Sequence, residues 1–340
     1  MAIKLHSVQT LAQKATRADV FYRSKNPNRV ANPRWNFGGG GGGFQGSTSG
    51  YTSGGYIPPP AGVRSNVIDK FPFASDANAT DVGDLTFARE QPAGQSSTAS
   101  GYTSGNQNLD VARNTIDKFP FASNANATDV GDLTVGRYAG AGQSSPASGY
   151  TSGGGSPVSG GVNVIDKFPF SSDANATDVG DLSRTVREAA GQSSTTNGYT
   201  SGATAPSAGY NNTIDKFPFA SDANATDVGD LTIARYGTAG QSSTASGYTS
   251  GGRESNEVYN NFIDKFPFAS DANATDVGDL SVVRFKPAGQ SSTASGYTSG
   301  ANNNPNGGNV IDKFPFATNA NATDVGDLSQ ARNNAVGQQI

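Results

Sequence analysis

The stretch NVIDKFPFASDANATDVGDLT, residues 66–86, decides the fold because the chain writes it six times with little change. Its inner string IDKFPF begins at Ile68, Ile116, Ile165, Ile214, Ile263 and Ile311, so successive copies stand 48 or 49 residues apart. A second string, GYTSG, keeps step from Gly50, Gly101, Gly149, Gly198, Gly247 and Gly296. A period of this length marks an array of small supersecondary units, none of which can bury its apolar face alone.

One unit contains four strand-like runs. In the copy that starts near Ala93 they are AGQSS (93–97), SGYTSG (100–105), TIDKFPFA (115–122) and ATDVGDL (127–133), here called strands A to D. Strand C alternates, with Asp117, Phe119 and Phe121 on one face and Ile116, Lys118 and Pro120 on the other. Gly, Ser, Asn and Asp punctuate the runs as turn residues. Twelve of the 18 Phe lie in the six FPF triplets, which makes them the expected packing residues between units. Each buried Phe stabilises by about 1.5–3 kcal/mol before entropy is counted. Four short strands per unit, with glycines after strand B, predict an all-β, six-bladed β-propeller.

The ends of the chain complete one another. The N-terminal copy, FQGSTSGYTSGG, starts near strand B with a poor strand A, whereas the C-terminal AVGQQI is a strand A with nothing after it. Residues 337–340 are therefore expected to enter the blade of Tyr51 and Phe71, closing the ring without an exposed edge.

The repeats resemble kelch and galactose-oxidase-type propeller repeats over residues 44–340. GYTSGG stands where kelch has an apolar strand ending in Gly-Gly, and DVGDLTFAR stands where kelch has its Trp-to-Arg stretch. The kelch tryptophan is absent, the only Trp being Trp35. The wording of the repeats is also similar to kelch-like repeats of marine bacteriophage virion proteins. That resemblance implies a virion location, tail-associated, with many copies in a symmetric assembly.

Antiparallel strands put the B-to-C and D-to-A connections on one face of the disc and the A-to-B and C-to-D connections on the other. The first face collects all the variable segments, such as YIPPPAGVRS, GRESNEVYN, SRTVRE and VVRFKP, while the second repeats SSTAS and SDANATD almost verbatim. Loops on a rigid scaffold are where binding residues concentrate. Aromatics and Arg dominate interface energetics. Tyr56, Arg64, Tyr138, Tyr210, Tyr236, Arg253, Tyr259, Phe285 and Lys286 are accordingly the candidate contacts for a host-surface protein or glycan.

The string DANATDVGD offers Asp76, Asn78, Thr80 and Asp84 at spacings similar to calcium loops of some propellers. Asp81 stands where such loops have Gly, and Asn124 and Asn319 replace the first Asp in two copies, so an Asx-type turn is the competing assignment. Arginines after strand D (Arg89, Arg137, Arg235, Arg284 and Arg332, with Arg187 one residue later in the third copy) are expected to pair with Asp69, Asp81, Asp84 or their equivalents. The propeller has no His and no Cys for the copper ligands that galactose oxidase requires. With no nucleophile beside a base either, no catalytic activity and no resident cofactor are expected.

The formal net charge of −4 is divided: residues 1–35 carry seven basic residues against Asp19, a net +6, which leaves −10 for the remainder. Leu5, Val8, Leu11, Ala12 and Ala15 recur at helical spacing, so residues 7–22 are expected to form a short amphipathic helix. The basic arm spans residues 1–37, with six glycines at 38–43 as a flexible joint. Leu5, Val8, Leu11, Arg17, Arg23, Arg29 and Arg34 are its candidate anchoring residues, facing other virion proteins. Aromatics are too few to favour nucleic acid as the partner. His6, the only histidine, reads as a surface residue. No apolar run reaches the roughly 20 residues of a membrane span, and no secretory apolar segment opens the chain. The expectation is a soluble chain, not exported by that route.

Overall fold

A computed structural model describes residues 45–340 apart from 109–110, 157–159, 206–208 and 304–305. The expected arm helix, the glycine joint and the anchoring residues Leu5, Val8, Leu11, Arg17, Arg23, Arg29 and Arg34 lie outside the described residues. The described residues form a six-bladed β-propeller of small antiparallel sheets and contain no helix. The second blade shows the pattern: Ala93–Ser96, Ser100–Asn108, Val111–Pro120 and Thr128–Asp132 pair in sequence order. These are the four runs expected from the sequence, except that the second and third extend into the connection between them, which pairs as a hairpin through Asn108 and Val111. In the first blade, the innermost position is filled by Val336–Gln339, which pairs antiparallel with Ser49–Ser53.

The two faces of each blade are chemically different, and each meets the unlike face of its neighbour. Tyr51, Ile68 and Leu85 of the first blade pack on Phe119, Phe121 and Ala127 of the second. The same set is formed by Tyr297, Ile311 and Leu328 of the sixth blade against Phe71, Phe73 and Ala79 of the first. The alternation of strand C explains the division: Ile116 turns forward while Phe119 and Phe121 turn back. The rings sit in tilted or stacked pairs, with Tyr102 4.9 Å from Phe170 and Tyr199 4.7 Å from Phe268. Such geometry adds about 0.5–1.5 kcal/mol beyond area burial.

Two polar networks tie the blades together inside this packing. The first is a belt around the inner strands. The buried Gln95 carboxamide donates to the carbonyl of Tyr150 in the next blade at 2.9 Å, and Ser104 Oγ lies 2.7 Å from Thr151 Oγ1. Gln143, Gln192, Gln241, Gln290 and Gln338 repeat the bond to Tyr199, Tyr248, Tyr297, Tyr51 and Tyr102. The second is a girdle of ion pairs. Arg137–Asp166, Arg235–Asp264, Arg284–Asp312 and Arg332–Asp69 lie at 2.9–3.1 Å, and Arg89 pairs likewise with Asp117. Each partner is the strand C aspartate of the following blade; neither Asp81 nor Asp84 takes that place. Arg187 is not part of the girdle: Val186 fills the equivalent position in the apolar core, and Arg187 Nε donates to Thr204 Oγ1. Asp215, 4% exposed, therefore faces Ser183 rather than a guanidinium.

At the axis the inner strands run so close that only glycine fits. A Cβ on Gly142 would lie 2.1 Å from the carbonyl oxygen of Gly94, and one on Gly191 2.2 Å from that of Gly142. Towards one face, the Ser96 amide donates to Ser144 Oγ, and Ser144, Ser193 and Ser242 pass the bond on to Ser193, Ser242 and Ser291. Gln339 carries the ring back, its amide donating to Ser96 Oγ. The inner edge that a four-stranded sheet would otherwise leave open is thus bonded blade to blade.

Candidate functional site

The variable connections emerge together on one face, and they are stitched in pairs. Isolated bridges join five of the six D-to-A links to the B-to-C loop of the next blade: Tyr56 with Asn333, Glu90 with Gln107, Tyr138 with Gly155, Arg187 with Thr204, and Tyr236 with Arg253. Each of these five sectors is therefore a composite of two blades. Variation in either loop alters the same patch of surface.

The sectors meet at the axis in a second ring. Gln91, Ala139, Glu188, Gly237, Lys286 and Asn334 all have φ between 54° and 62°. Each amide donates to the carbonyl of the preceding member, from Gln91 to Asn334 through Ala139 to Gln91, at 2.7–3.0 Å. Three alternate members reach across the mouth: Lys286 Nζ lies 3.1 Å from Glu188 Oε1, and Gln91 Nε2 donates to the same oxygen at 3.2 Å. Below them the axis holds a cavity of about 150 Å³ lined by the inner strands. Sequence reading by residue type passed over Gln91 and Glu188. Aligning the D-to-A links on their shared glycine and glutamine would have placed them, with Lys286, in one column.

The candidate contacts fall into two groups. Tyr56 and Arg64 are half-buried cross-strand partners in the first blade's loop, and Tyr138 is half-buried in another sector. Arg64 is paired with Glu90 at 2.9 Å, and the Tyr138 ring covers Gly155, where a Cβ would meet it at 2.6 Å. The other six form one cluster across the fourth, fifth and sixth blades. Tyr236 lies 4.9 Å from Tyr210 and 5.1 Å edge-on from Phe285, which stacks on Tyr259 at 5.4 Å. Arg253 lies over both Tyr236 and Phe285, at 5.4 and 5.2 Å from their centroids, and Lys286 lies 5.1 Å from that of Phe285. Tyr236 and Phe285 are only 8% and 7% exposed and form the underside of the cluster. What it turns outward is Tyr210, Arg253, Tyr259 and Lys286.

Burial pushes the Tyr236 hydroxyl up to about 12. For Arg253, burial acts downward, but hydrogen bonding to Tyr210 and Tyr259 and the charge of Glu257 outweigh it, and the guanidinium is held above its ordinary value. Both groups keep their neutral-pH charge state across the physiological range, so the cluster presents fixed positive charge and phenolic donors.

On the opposite face the Asp76 and Asn78 oxygens of the candidate calcium loop are engaged within the protein. Asp76 is paired with Lys313 of the sixth blade at 3.1 Å, and Asn78 Oδ1 accepts from the Asp327 amide at 3.1 Å. Asn126 does the same for Asp84, and the Asp81 carboxylate accepts from the Gly83 amide. Thr80 is exposed at the start of strand D. A cation would have to displace these partners. No group of three or more His, Cys, Asp or Glu suited to a metal occurs among the described residues. Where Asn124 and Asn319 replace the aspartate, Lys70 and Lys265 instead lie over Tyr51 and Tyr248 at 5.6 and 5.8 Å.

No family model matches the chain, and no curated protein matches it in sequence.

Proposed function

We propose that this protein is a non-enzymatic display scaffold: a tail-associated phage virion component, held by its basic arm at residues 1–37, that turns its variable propeller face towards a host-surface protein or glycan. The segregation of variation supports this reading. Six copies of one unit retain the strings that build the interfaces, the axis and one face, while the connections that differ all share the other face. Rigid scaffolds with variable loops are the usual architecture of recognition. The virion setting and the kelch kinship are supported by the wording of the repeats, and the +6 arm against a −10 remainder supports a separate docking role for the N-terminus.

The test uses particles that carry the chain. Deleting residues 1–37 should leave particles without the propeller. Exchanging the B-to-C loops for copies of a single loop should leave incorporation intact and abolish adsorption to host cells. Unchanged adsorption after that exchange would make the protein purely architectural, with loops that touch only other virion subunits. Full binding by a soluble propeller that particles never incorporate would make it a free carbohydrate-binding protein.

A further inference from the structure

The charge and ring packing of the fifth-blade cluster single out one position on the variable face. Arg253 lies over the mutually edge-on Tyr236 and Phe285 rings, 5.4 and 5.2 Å from their centroids, and its backbone is bridged to Tyr236 and to Tyr259, so its position is set before any ligand arrives. Its Nε is buried without a hydrogen-bond partner. Its counter-charge is weak: Glu257 lies 3.6 Å away, its side chain 79% exposed, on a turn residue with φ of 66°. Such a pair contributes little and is easily exchanged. Arg64, in the first blade, differs in holding Glu90 at 2.9 Å with the carboxylate only 13% exposed.

We infer that Arg253 is the seat of a ligand carboxylate that displaces Glu257, and that the ligand is an acidic saccharide bearing a uronate-type group. This rests on the display reading above and names the class of ligand for one sector. A guanidinium accepts a carboxylate through two parallel N–H···O bonds, the geometry it cannot make with Glu257 at its present distance. Beside it stand the half-buried rings of Tyr259 and Tyr210 with their hydroxyls, and the 47% exposed Val258. A sugar ring carries its carboxylate next to a flat C–H face and a rim of hydroxyls, matching cation, ring and phenol together. An acidic peptide side chain would engage the cation and leave the phenols and ring faces unused. Binding is an exchange of carboxylates, with no covalent step.

The test is calorimetric titration of the full-length protein with oligogalacturonate, with a malto-oligosaccharide of equal length and with poly-glutamate as comparators. Oligogalacturonate should bind and the neutral oligomer should not. Arg253→Gln should weaken binding by about tenfold or more, as loss of a charge-assisted bidentate pair does. Glu257→Gln should tighten it by removing the competitor, a gain that a variant with a damaged loop would not show. Absence of oligogalacturonate binding, equal binding by Arg253→Gln, or equal binding of poly-glutamate would overturn the assignment. Host-cell adsorption retained by Arg253→Gln but lost on loop exchange would overturn it too, while leaving the display function standing.

Discussion

Asp215 and Gly142 show how unequal single positions are in a protein of near-identical repeats. Five of the six strand C aspartates meet a buried guanidinium, whereas Asp215 meets the Ser183 hydroxyl and amide, with Arg184 and Asp227 as the nearest charges. Burial raises the Asp215 carboxyl above its ordinary 3.8. An acid raised in this way holds its proton more firmly folded than unfolded. Its contribution to stability is full below the unfolded value and is lost as pH climbs through the raised one. Asp215→Asn should therefore match the wild type in acid and exceed it as pH rises to neutrality, read by urea denaturation across that range. Asp264→Asn should do the reverse at neutral pH, costing about 3–5 kcal/mol, because it leaves Arg235 buried without its counter-charge. Gly142→Ala forces a methyl against the Gly94 carbonyl, and overpacking of this kind costs about 1–3 kcal/mol.

At the scale of elements, the inner strand has two duties that its four residues make compatible. Gln143 and its equivalents reach outward to the next blade, while Gly142 and Ser144 line the axis, since alternate residues of a strand face opposite sides. The strand at 336–339 performs these duties for the first blade. A chain lacking residues 336–340 would expose the Ser49–Ser53 edge and leave Tyr102 and Thr103 without Gln338. Such a chain should self-associate in size-exclusion chromatography where the intact protein does not, unpaired strand edges being templates for association. The lysine–aspartate pairs of the repeated face matter much less. Asp173 is 58% exposed, and Asp173→Asn, which copies the natural state at Asn124, should lower stability by no more than about 1 kcal/mol.

For the whole molecule, the interface between the sixth and first blades repeats the others in its Tyr, Ile, Leu and Phe contacts and in its Arg332–Asp69 pair. A stack of units with free ends can unzip from either one. A ring whose first and last units are joined cannot, so heating should give a single transition whose calorimetric and van't Hoff enthalpies agree. The melting temperature should be the same with millimolar calcium or with a chelator, because the Asp76 and Asn78 oxygens already have protein partners. A calcium-dependent rise would restore the metal loop as a site.

The sequence by itself determined the repeat, the order of the four strands within a unit and the facing of strand C, because period, turn residues and two-residue alternation are local properties that each copy states independently. The pooling of variable connections on one face also followed from strand count alone. Only the tertiary structure decided which partner each repeated side chain meets, since those contacts cross from blade to blade over some 30 to 60 residues or, between the last and first blades, nearly the whole chain. It separated the girdle aspartate from Asp81 and Asp84, put Val186 rather than Arg187 in the core, and gathered Tyr210, Tyr236, Arg253, Tyr259, Phe285 and Lys286 from three blades into one cluster. Residue type marks a side chain as able to bind; only the packing of neighbouring loops settles whether it is spent beneath the surface, as Tyr236 and Phe285 are, or left to face outward beside Arg253.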